Sequence, residues 1–131
     1  MKTTLKTICE SAFANAENGN LNIMGIFDTI NSMQFPATHQ KMTFVWILEG
    51  MPGEDISYSF TIQDPTGKVI VDKRAQAAKA KISLNGKTNL IYNILNVNLP
   101  MPGRYMVNLF ANDFTDALSF EAKELKTAAV A

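Results

Sequence analysis

The sequence offers few side chains of the types that act as nucleophiles or bind metals. It contains one cysteine, Cys9, and one histidine, His39, among 131 residues. A Cys–His pair forms a nucleophile only when the two side chains meet and a third group orients the imidazole. Cys9 lies in an apolar pattern typical of a buried strand, and His39 follows Phe35-Pro36, which predicts a loop. We therefore expect both residues to be structural.

Acidic residues cluster at two predicted turns. Glu54 and Asp55 adjoin one turn, and Asp113 and Asp116 lie in a predicted loop after Phe110. Calcium takes about six to eight oxygen ligands, which two carboxylates three residues apart do not supply. We expect solvated turns here, with no metal site and no cofactor.

Sequence motifs for catalysis are missing as well. The chain has no Walker-type or dinucleotide-binding glycine loop and no Gly-x-Ser-x-Gly elbow. Two carboxylates alone can hydrolyse sugars, but nothing in the sequence marks such a pair. We expect a protein without enzymatic activity, and keep a hydrolase centred on a carboxylate or Cys9 as an alternative.

Charge is distributed unevenly along a chain whose net charge is zero. Residues 1–65 carry three lysines against seven carboxylates, a net of −4, whereas residues 66–88 carry six basic residues against one acidic residue, a net of +5. The six basic residues are Lys68, Lys73, Arg74, Lys79, Lys81 and Lys87. This basic segment is either a binding face for an acidic partner or nucleic acid, or a set of lysines that protects an edge strand from pairing. Scarce arginine and the lack of interleaved aromatic residues count against nucleic acid.

Turn signals recur at short intervals and separate segments rich in β-branched and aromatic residues, as in a sandwich or barrel. The clearest strand, Ile56 to Gln63, alternates apolar and polar residues, which predicts one buried face and one solvent face. A turn at residues 64–67 then predicts a hairpin with residues 68–72. Residues 42–48 are apolar on both faces and predict a central strand, covered on both sides or flanking an interface.

Further strands are predicted at Tyr105 to Phe110 and at Leu118 to Ala122, the last strand, and four other segments have patterns of their own. Leu5 to Phe13 and Leu21 to Phe27 form the first two strands. The apolar residues of Asn89 to Leu99 change phase, which predicts a bulge or a change of sheet. Residues 74–81 have a helix-forming composition but also alternate, and we favour a strand with a basic outer face.

Two stretches carry a resemblance to a known family. The first runs from Cys9 to Phe27 and is followed by Phe35-Pro36, and the second is Pro102-Gly103-Arg104-Tyr105. Together they resemble an uncharacterised bacterial family of small cytoplasmic β-sandwich proteins, a domain of unknown function. The resemblance covers roughly Thr7 to Leu125 and implies a fold, but it supplies no activity and no catalytic residues.

The same two stretches make physical predictions of their own. Gly25 inside a strand pattern suggests a bulge or a close approach of another chain segment. Tyr105, just after a turn, is placed to bond its hydroxyl back to the loop, as tyrosine corners do.

The sequence as a whole predicts one domain over residues 1–131, with a frayed tail after about residue 125. We expect an all-β, two-sheet immunoglobulin-like β-sandwich of about seven to nine strands, with a closed β-barrel as the alternative. No apolar leader or membrane-spanning stretch is evident, so we expect a cytoplasmic protein, or else a virion component, without membrane contact. We expect a non-enzymatic binding or structural module that binds itself or another protein. The alternative is a ligand- or nucleic-acid-binding sandwich that uses residues 68–87.

Overall fold

The structure, a computed structural model, describes residues 1–125, so the tail predicted to fray lies outside the described residues. It contains ten strands and one short 3₁₀ turn, Arg74–Gln76. The strands are β1 (Lys2–Ala14), β2 (Leu21–Ile26), β3 (Thr29–Ser32), β4 (Ala37–Glu49), β5 (Asp55–Gln63), β6 (Val69–Asp72), β7 (Ala78–Lys81), β8 (Lys87–Leu99), β9 (Gly103–Ala111) and β10 (Phe114–Glu124). No helix in this part of the chain is long and apolar enough to cross a bilayer.

The strands form two sheets, which confirms the predicted all-β sandwich. The four-stranded sheet has the order β2-β1-β4-β8. The six-stranded sheet has the order β3-β10-β9-β5-β6. The edge of β5 that faces away from β9 pairs with β7 at residues 55–58 and with β6 at residues 61–63. All neighbours are antiparallel except β3 and β10. Within residues 1–125 neither sheet closes into a barrel, and the strands exceed the predicted seven to nine because no sequence pattern predicted the short strand β3.

Aromatic residues from both sheets fill the centre of the core. Phe60 on β5 lies 4.8 Å from Tyr92 on β8 and 5.5 Å from Trp46 on β4, measured between ring centroids. Tyr58 and Phe44 pack against the same group. Such rings bury large apolar areas and therefore hold the two sheets together.

The prediction of a central strand at residues 42–48 is confirmed. β4 lies between β1 and β8, and Phe44 and Trp46 point into the core. On the opposite face Thr43 and Val45 are also fully buried. The hairpin between β1 and β2 helps to explain this, because its tip, residues 19–21, lines one groove together with residues of β4 and β8.

The β5–β6 hairpin is confirmed, but the predicted solvent face of β5 is wrong. Ser59 and Thr61, expected on that face, are both buried. The side chain of Asn108 donates a hydrogen bond to Thr61 Oγ1 at 3.2 Å. The Arg74 guanidinium lies over the ring of Phe110, the residue opposite Ser59 in the ladder, at 5.9 Å from the ring centroid. A long side chain from the 3₁₀ turn thus covers polar residues that local alternation places in water.

The predicted change of phase in β8 is confirmed at Asn96, whose φ is +55°. Leu90 and Ile94 are buried before this point and Val97 after it, whereas Leu95 is 65% exposed. The predicted bulge or change of sheet is wrong, because the ladder with β4 keeps the same register on both sides of Asn96 and β8 stays in one sheet.

Residues 74–81 adopt both of the conformations that the composition allowed. The first part is the 3₁₀ turn, where our preferred strand is wrong. The second part is β7, where Ala78 and Ala80 pack against the core and Lys79 and Lys81 are exposed. The predicted strand with a basic outer face is therefore confirmed for β7 alone.

Both physical predictions from the quoted motifs are confirmed. Tyr105 Oη donates to the carbonyl of Met101 at 2.6 Å and accepts from the Met101 amide at 3.2 Å, which is a tyrosine corner. The Tyr105 ring stacks on Phe120 at 5.2 Å. Gly25 has a φ of +70°, and a Cβ added there would lie 2.8 Å from the side chain of Glu10.

Candidate functional site

The single cysteine and the single histidine are both held by the fold. Cys9 is fully buried, as its strand pattern predicted, and its Sγ donates to the carbonyl oxygens of Ser11 at 3.4 Å and Thr43 at 3.7 Å. Burial raises the pKa of the Cys9 thiol, which disfavours the nucleophilic thiolate. His39 lies in β4, so the predicted loop is wrong. Its ring is half-buried, with its centroid 5.6 Å from that of Phe27.

Asp116 is not in a loop, contrary to our prediction, because β10 begins at Phe114. It lies opposite the buried Leu109 and joins the two sheets. Its carboxylate accepts hydrogen bonds from Thr3 Oγ1 at 2.6 Å, Lys6 Nζ at 2.9 Å and Trp46 Nε1 at 3.0 Å. Burial alone raises the pKa of Asp116, but these hydrogen bonds outweigh it and hold the pKa below its usual range. The alternation of Phe114, Asp116, Leu118 and Phe120 is the sequence signal that could have placed this carboxylate inside.

The other acidic residues occupy turns and strand ends. Glu54 Oε2 accepts from the Asn112 amide at 3.4 Å, and Asp55 lies 3.6 Å from Lys81 Nζ. Among the residues that the structure describes, no group of three or more His, Cys, Asp or Glu side chains is arranged to hold a metal. None of these carboxylates forms a site with Cys9 or His39.

The most unusual feature is a free strand edge. β8 has thirteen residues, ends the four-stranded sheet, and carries no charge from Thr88 to Leu99. In residues 1–125 no strand other than β4 pairs with it. An edge strand leaves alternate backbone N–H and C=O groups without partners, ready to pair with another strand. β8 is therefore the candidate binding element.

The other strands at the ends of the two sheets are short or interrupted, and the edges of β1 before Cys9 and of β10 before Glu121 that they leave unpaired carry Lys2, Lys6 and Asp116. β2 has six residues and β3 has four. β6 and β7 have four residues each and are separated by the 3₁₀ turn, with Lys68 and Lys73 directly flanking β6. Short length, interruption and lysine are the usual means by which an edge avoids pairing.

Three of the six predicted basic site residues surround β8. Lys81 and Lys87 line one groove with Thr88 and Asn89 at the start of β8. Lys68 lines a second groove with Asn98 near its end. The structure thus places lysines at both ends of an uncharged edge, with the Asp64 carboxylate in the same groove as Lys68.

The remaining three basic residues lie elsewhere. Arg74 forms an ion pair with Asp72 at 2.7 Å, and hydrogen bonds from its guanidinium lower the pKa of Asp72 to about 2. Lys79 pairs with Ser57 in the ladder and lines a groove on the outer face of the six-stranded sheet. The amide of Lys73 donates to Phe60 O and fixes the start of the 3₁₀ turn. The basic segment therefore does not form a single face.

Comparison with known families gives one match. The family of unknown function DUF6941 matches residues 4–120. The chain belongs to this family. This agrees with the resemblance to a domain of unknown function. No curated protein matches the DUF6941 chain described here.

Among solved structures, the chain is similar to part of the Pseudomonas fluorescens alkylpurine DNA glycosylase AlkC, in a complex with DNA that contains an abasic site analog. The TM-score is 0.51 and the sequence identity is 14%. The match covers 90% of this chain but spans only 30% of the glycosylase. At this identity the similarity concerns the fold alone.

Proposed function

We propose that this DUF6941 protein is a non-enzymatic binding module that binds a protein by adding a strand to β8. The observation that carries the proposal is the length of this free edge combined with its lack of charge between Thr88 and Leu99. In strand addition, backbone hydrogen bonds supply affinity and alternate side chains supply specificity. A long uncharged edge presents both to an extended segment.

The contrast with the other edges supports this assignment. The β6–β7 edge has the lysines and interruptions that prevent pairing. In β8 the one irregular backbone position is Asn96, which has a positive φ. Lysines along β6 and β7 then act mainly as protection, one of the two interpretations that the sequence left open. Binding and protection are divided between neighbouring edges of the same sandwich.

The environment of the reactive side chains supports a role without catalysis. The Cys9 thiol is buried with a raised pKa, and His39 packs on Phe27. The Asp116 carboxylate, one centre for the alternative hydrolase, is saturated by Thr3, Lys6 and Trp46 of the four-stranded sheet and by the Ala117 amide. A general acid or base needs a free position toward a substrate.

The finer predictions of fold type and location accompany this proposal. The tyrosine corner at Tyr105 supports an immunoglobulin-like arrangement of the two sheets. Cytoplasmic location and the alternative of a virion component stay predictions.

Nucleic-acid binding through residues 68–87 is the competing function. Its basis is the net charge of this segment. The Arg74 guanidinium is already bound to Asp72 through an ion pair at 2.7 Å and two hydrogen bonds. Lys68, Lys79 and the pair Lys81 and Lys87 line three separate grooves, which leaves no continuous track for a phosphate backbone.

The experiment is an affinity capture with variants that block β8. Successive residues of an edge strand turn their N–H groups inward and outward alternately, so one of Thr88→Pro and Asn89→Pro removes an outward donor and spares the β4 ladder. The variant that keeps the wild-type melting temperature is used, with Val69→Pro at the start of β6 as its matched control. Each full chain is immobilised in extract from its own cells, and bound proteins are identified by mass spectrometry.

We expect the wild type and Val69→Pro to retain one defined protein that the β8 variant loses. A second copy of this chain counts as such a protein. Retention that does not depend on β8, or retention of nucleic acid alone, would contradict the proposal.

A further inference from the structure

We infer that the segment added to β8 is acidic at both ends and uncharged in its middle. This inference rests on the proposed function and names the chemistry of the partner. It concerns an extended protein segment, and other ligands become outcomes of the test.

The lysines at the two ends of β8 indicate which charge the two ends of the partner segment carry. Lys81 and Lys87 line the groove at its start, and Lys68 lines the groove near its end. The thirteen residues between Lys87 and Leu99 span about 40 Å. Carboxylates near both ends of a segment of about ten residues would meet these ammonium groups, whereas lysines there would be repelled.

The middle of β8 indicates that the middle of the partner segment is uncharged. The side chains between its two ends are apolar residues and asparagines, with Asn89, Asn93 and Leu95 exposed. A charge on the facing part of a partner would find no opposite charge on β8 there. Threonine, valine and isoleucine have the strand preference and the neutrality that this part requires.

The three lysines are available to a partner. Lys87 is 3.8 Å from Glu49 and Lys81 is 3.6 Å from Asp55, and all four side chains are substantially exposed. Exposed pairs of this kind are weak, so a partner carboxylate can share these lysines. Lys68 forms no ion pair within 4.0 Å of any residue in the range 1–125, and the nearby Asp64 carboxylate already accepts hydrogen bonds from Thr66 and from the Lys68 amide.

A second copy of the chain fits this edge less well. Antiparallel pairing of two β8 strands about a twofold axis would place the start of each strand beside the end of the other. Lys68 of one copy would then approach the Lys81 and Lys87 end of the next. Like charges across an interface oppose association, which favours an acidic segment from a different protein.

The experiment uses a pair of synthetic peptides and the full chain. Both peptides have the same centre of alternating threonine and valine, and one has glutamates at both ends where the other has lysines. Fluorescence anisotropy measures binding at low and high salt, with a duplex DNA of random sequence as a third probe. A version of the acidic peptide with alternate N-methylated amides tests the backbone ladder.

We expect the acidic peptide to bind at least about tenfold more tightly than the basic one, and to weaken with salt. Lys68→Glu combined with Lys87→Glu should reduce its affinity by about tenfold. The matched control Lys123→Glu, on β10 at the far side of the sandwich, should leave it unchanged. N-methylation should abolish binding.

The failures of the two proposals are distinguishable. Equal affinity for both peptides, lost on N-methylation, would overturn the acidic preference and leave strand addition intact. Binding that survives N-methylation, or no binding of either peptide, would overturn the inference, and the capture experiment would then judge strand addition separately. A stable dimer that depends on β8, or tighter binding of the DNA, would also overturn it.

Discussion

Different interactions hold the two sheets together at the two long sides of the sandwich. On the side of β1 and β10, the Asp116 carboxylate lies between the sheets and binds Thr3, Lys6 and Trp46. On the side of β8 and β5, the rings of Tyr92 and Phe60 close the core, and the edge of β8 stays open. A buried charge satisfied by several donors fixes one side, while apolar packing leaves the backbone of the other side available.

This comparison separates stability from binding. Substitutions at Asp116 should lower the free energy of unfolding without a direct effect on binding at β8. Substitutions of exposed residues around β8 should change binding with little effect on folding. Substitutions on the two sides of the sandwich should therefore affect different properties, and the largest effect on stability should come from Asp116.

The largest effect is expected for Asp116→Ala. The substitution leaves Trp46 Nε1 and the Thr3 hydroxyl without their acceptor, so the free energy of unfolding should fall by about 2–4 kcal/mol. Urea denaturation measures the change. Asp113→Ala, in the exposed turn before β10, is the control and should stay within about 0.5 kcal/mol of wild type. Equal effects of the two substitutions would show that Asp116 does not join the sheets.

The Asp116 carboxylate should make the free energy of unfolding depend on pH in the acid range. The folded pKa of Asp116 lies below the ordinary value of 3.8, so the folded state favours the ionised form. Its contribution is present above about pH 4 and is lost as the pH falls through 3.8 toward the lower folded value. The free energy of unfolding, measured from neutral to acid pH, should decline less in Asp116→Asn than in wild type. Asp72→Asn serves as the comparison, because the pKa of Asp72 is lowered by Arg74 at the surface. Parallel pH curves for Asp116→Asn and wild type would contradict the account.

A smaller effect is expected at the crossing from β8 to β9. Tyr105→Phe removes the hydroxyl that bonds both backbone groups of Met101 and should cost about 1–2 kcal/mol. The ring and its stacking on Phe120 remain, so the melting transition should stay cooperative. Phe120→Leu keeps the hydroxyl and separates the contribution of stacking from that of the hydrogen bonds. No change in Tyr105→Phe would mean that the crossing is held by packing alone.

The smallest effect on folding is expected for Lys68→Glu combined with Lys87→Glu. Both side chains are exposed, and Lys87 makes only a long contact with Glu49, so stability should stay within about 0.5 kcal/mol of wild type. Thermal melting beside the peptide titration provides the test. A large loss of stability would mean that these lysines serve the fold rather than binding.

Local patterns predicted the strands well because alternation and turn residues act over a few neighbours. Ile56 to Gln63 and residues 42–48 were placed correctly for this reason, and so was the hydroxyl of Tyr105. The failures depend on contacts between distant segments. Ser59 is buried beside Phe110, which Arg74 covers from the 3₁₀ turn, and His39 joins a strand through its ladder with β8.

The candidate site shows the same limit. The sequence identified the basic residues and the apolar stretch 89–99 with its change of phase, but the order of the strands determines that β8 is an edge. Strand order also determines that Lys68, Lys81 and Lys87 line grooves at the two ends of this edge, whereas Lys79, on the same face of β7 as Lys81, lines a different groove. No pattern within one segment contains that information.

The most direct test of the central claim is amide hydrogen exchange, resolved by residue with NMR, in the free protein and with the acidic peptide. In the free protein, alternate amides along β8 should exchange rapidly, since only those facing β4 are bonded. The peptide should slow the outward-facing amides of Lys87–Leu99 and leave β6 and β7 unchanged. Uniform protection of β8 in the free protein, or slowing at another edge on addition of the peptide, would contradict the account.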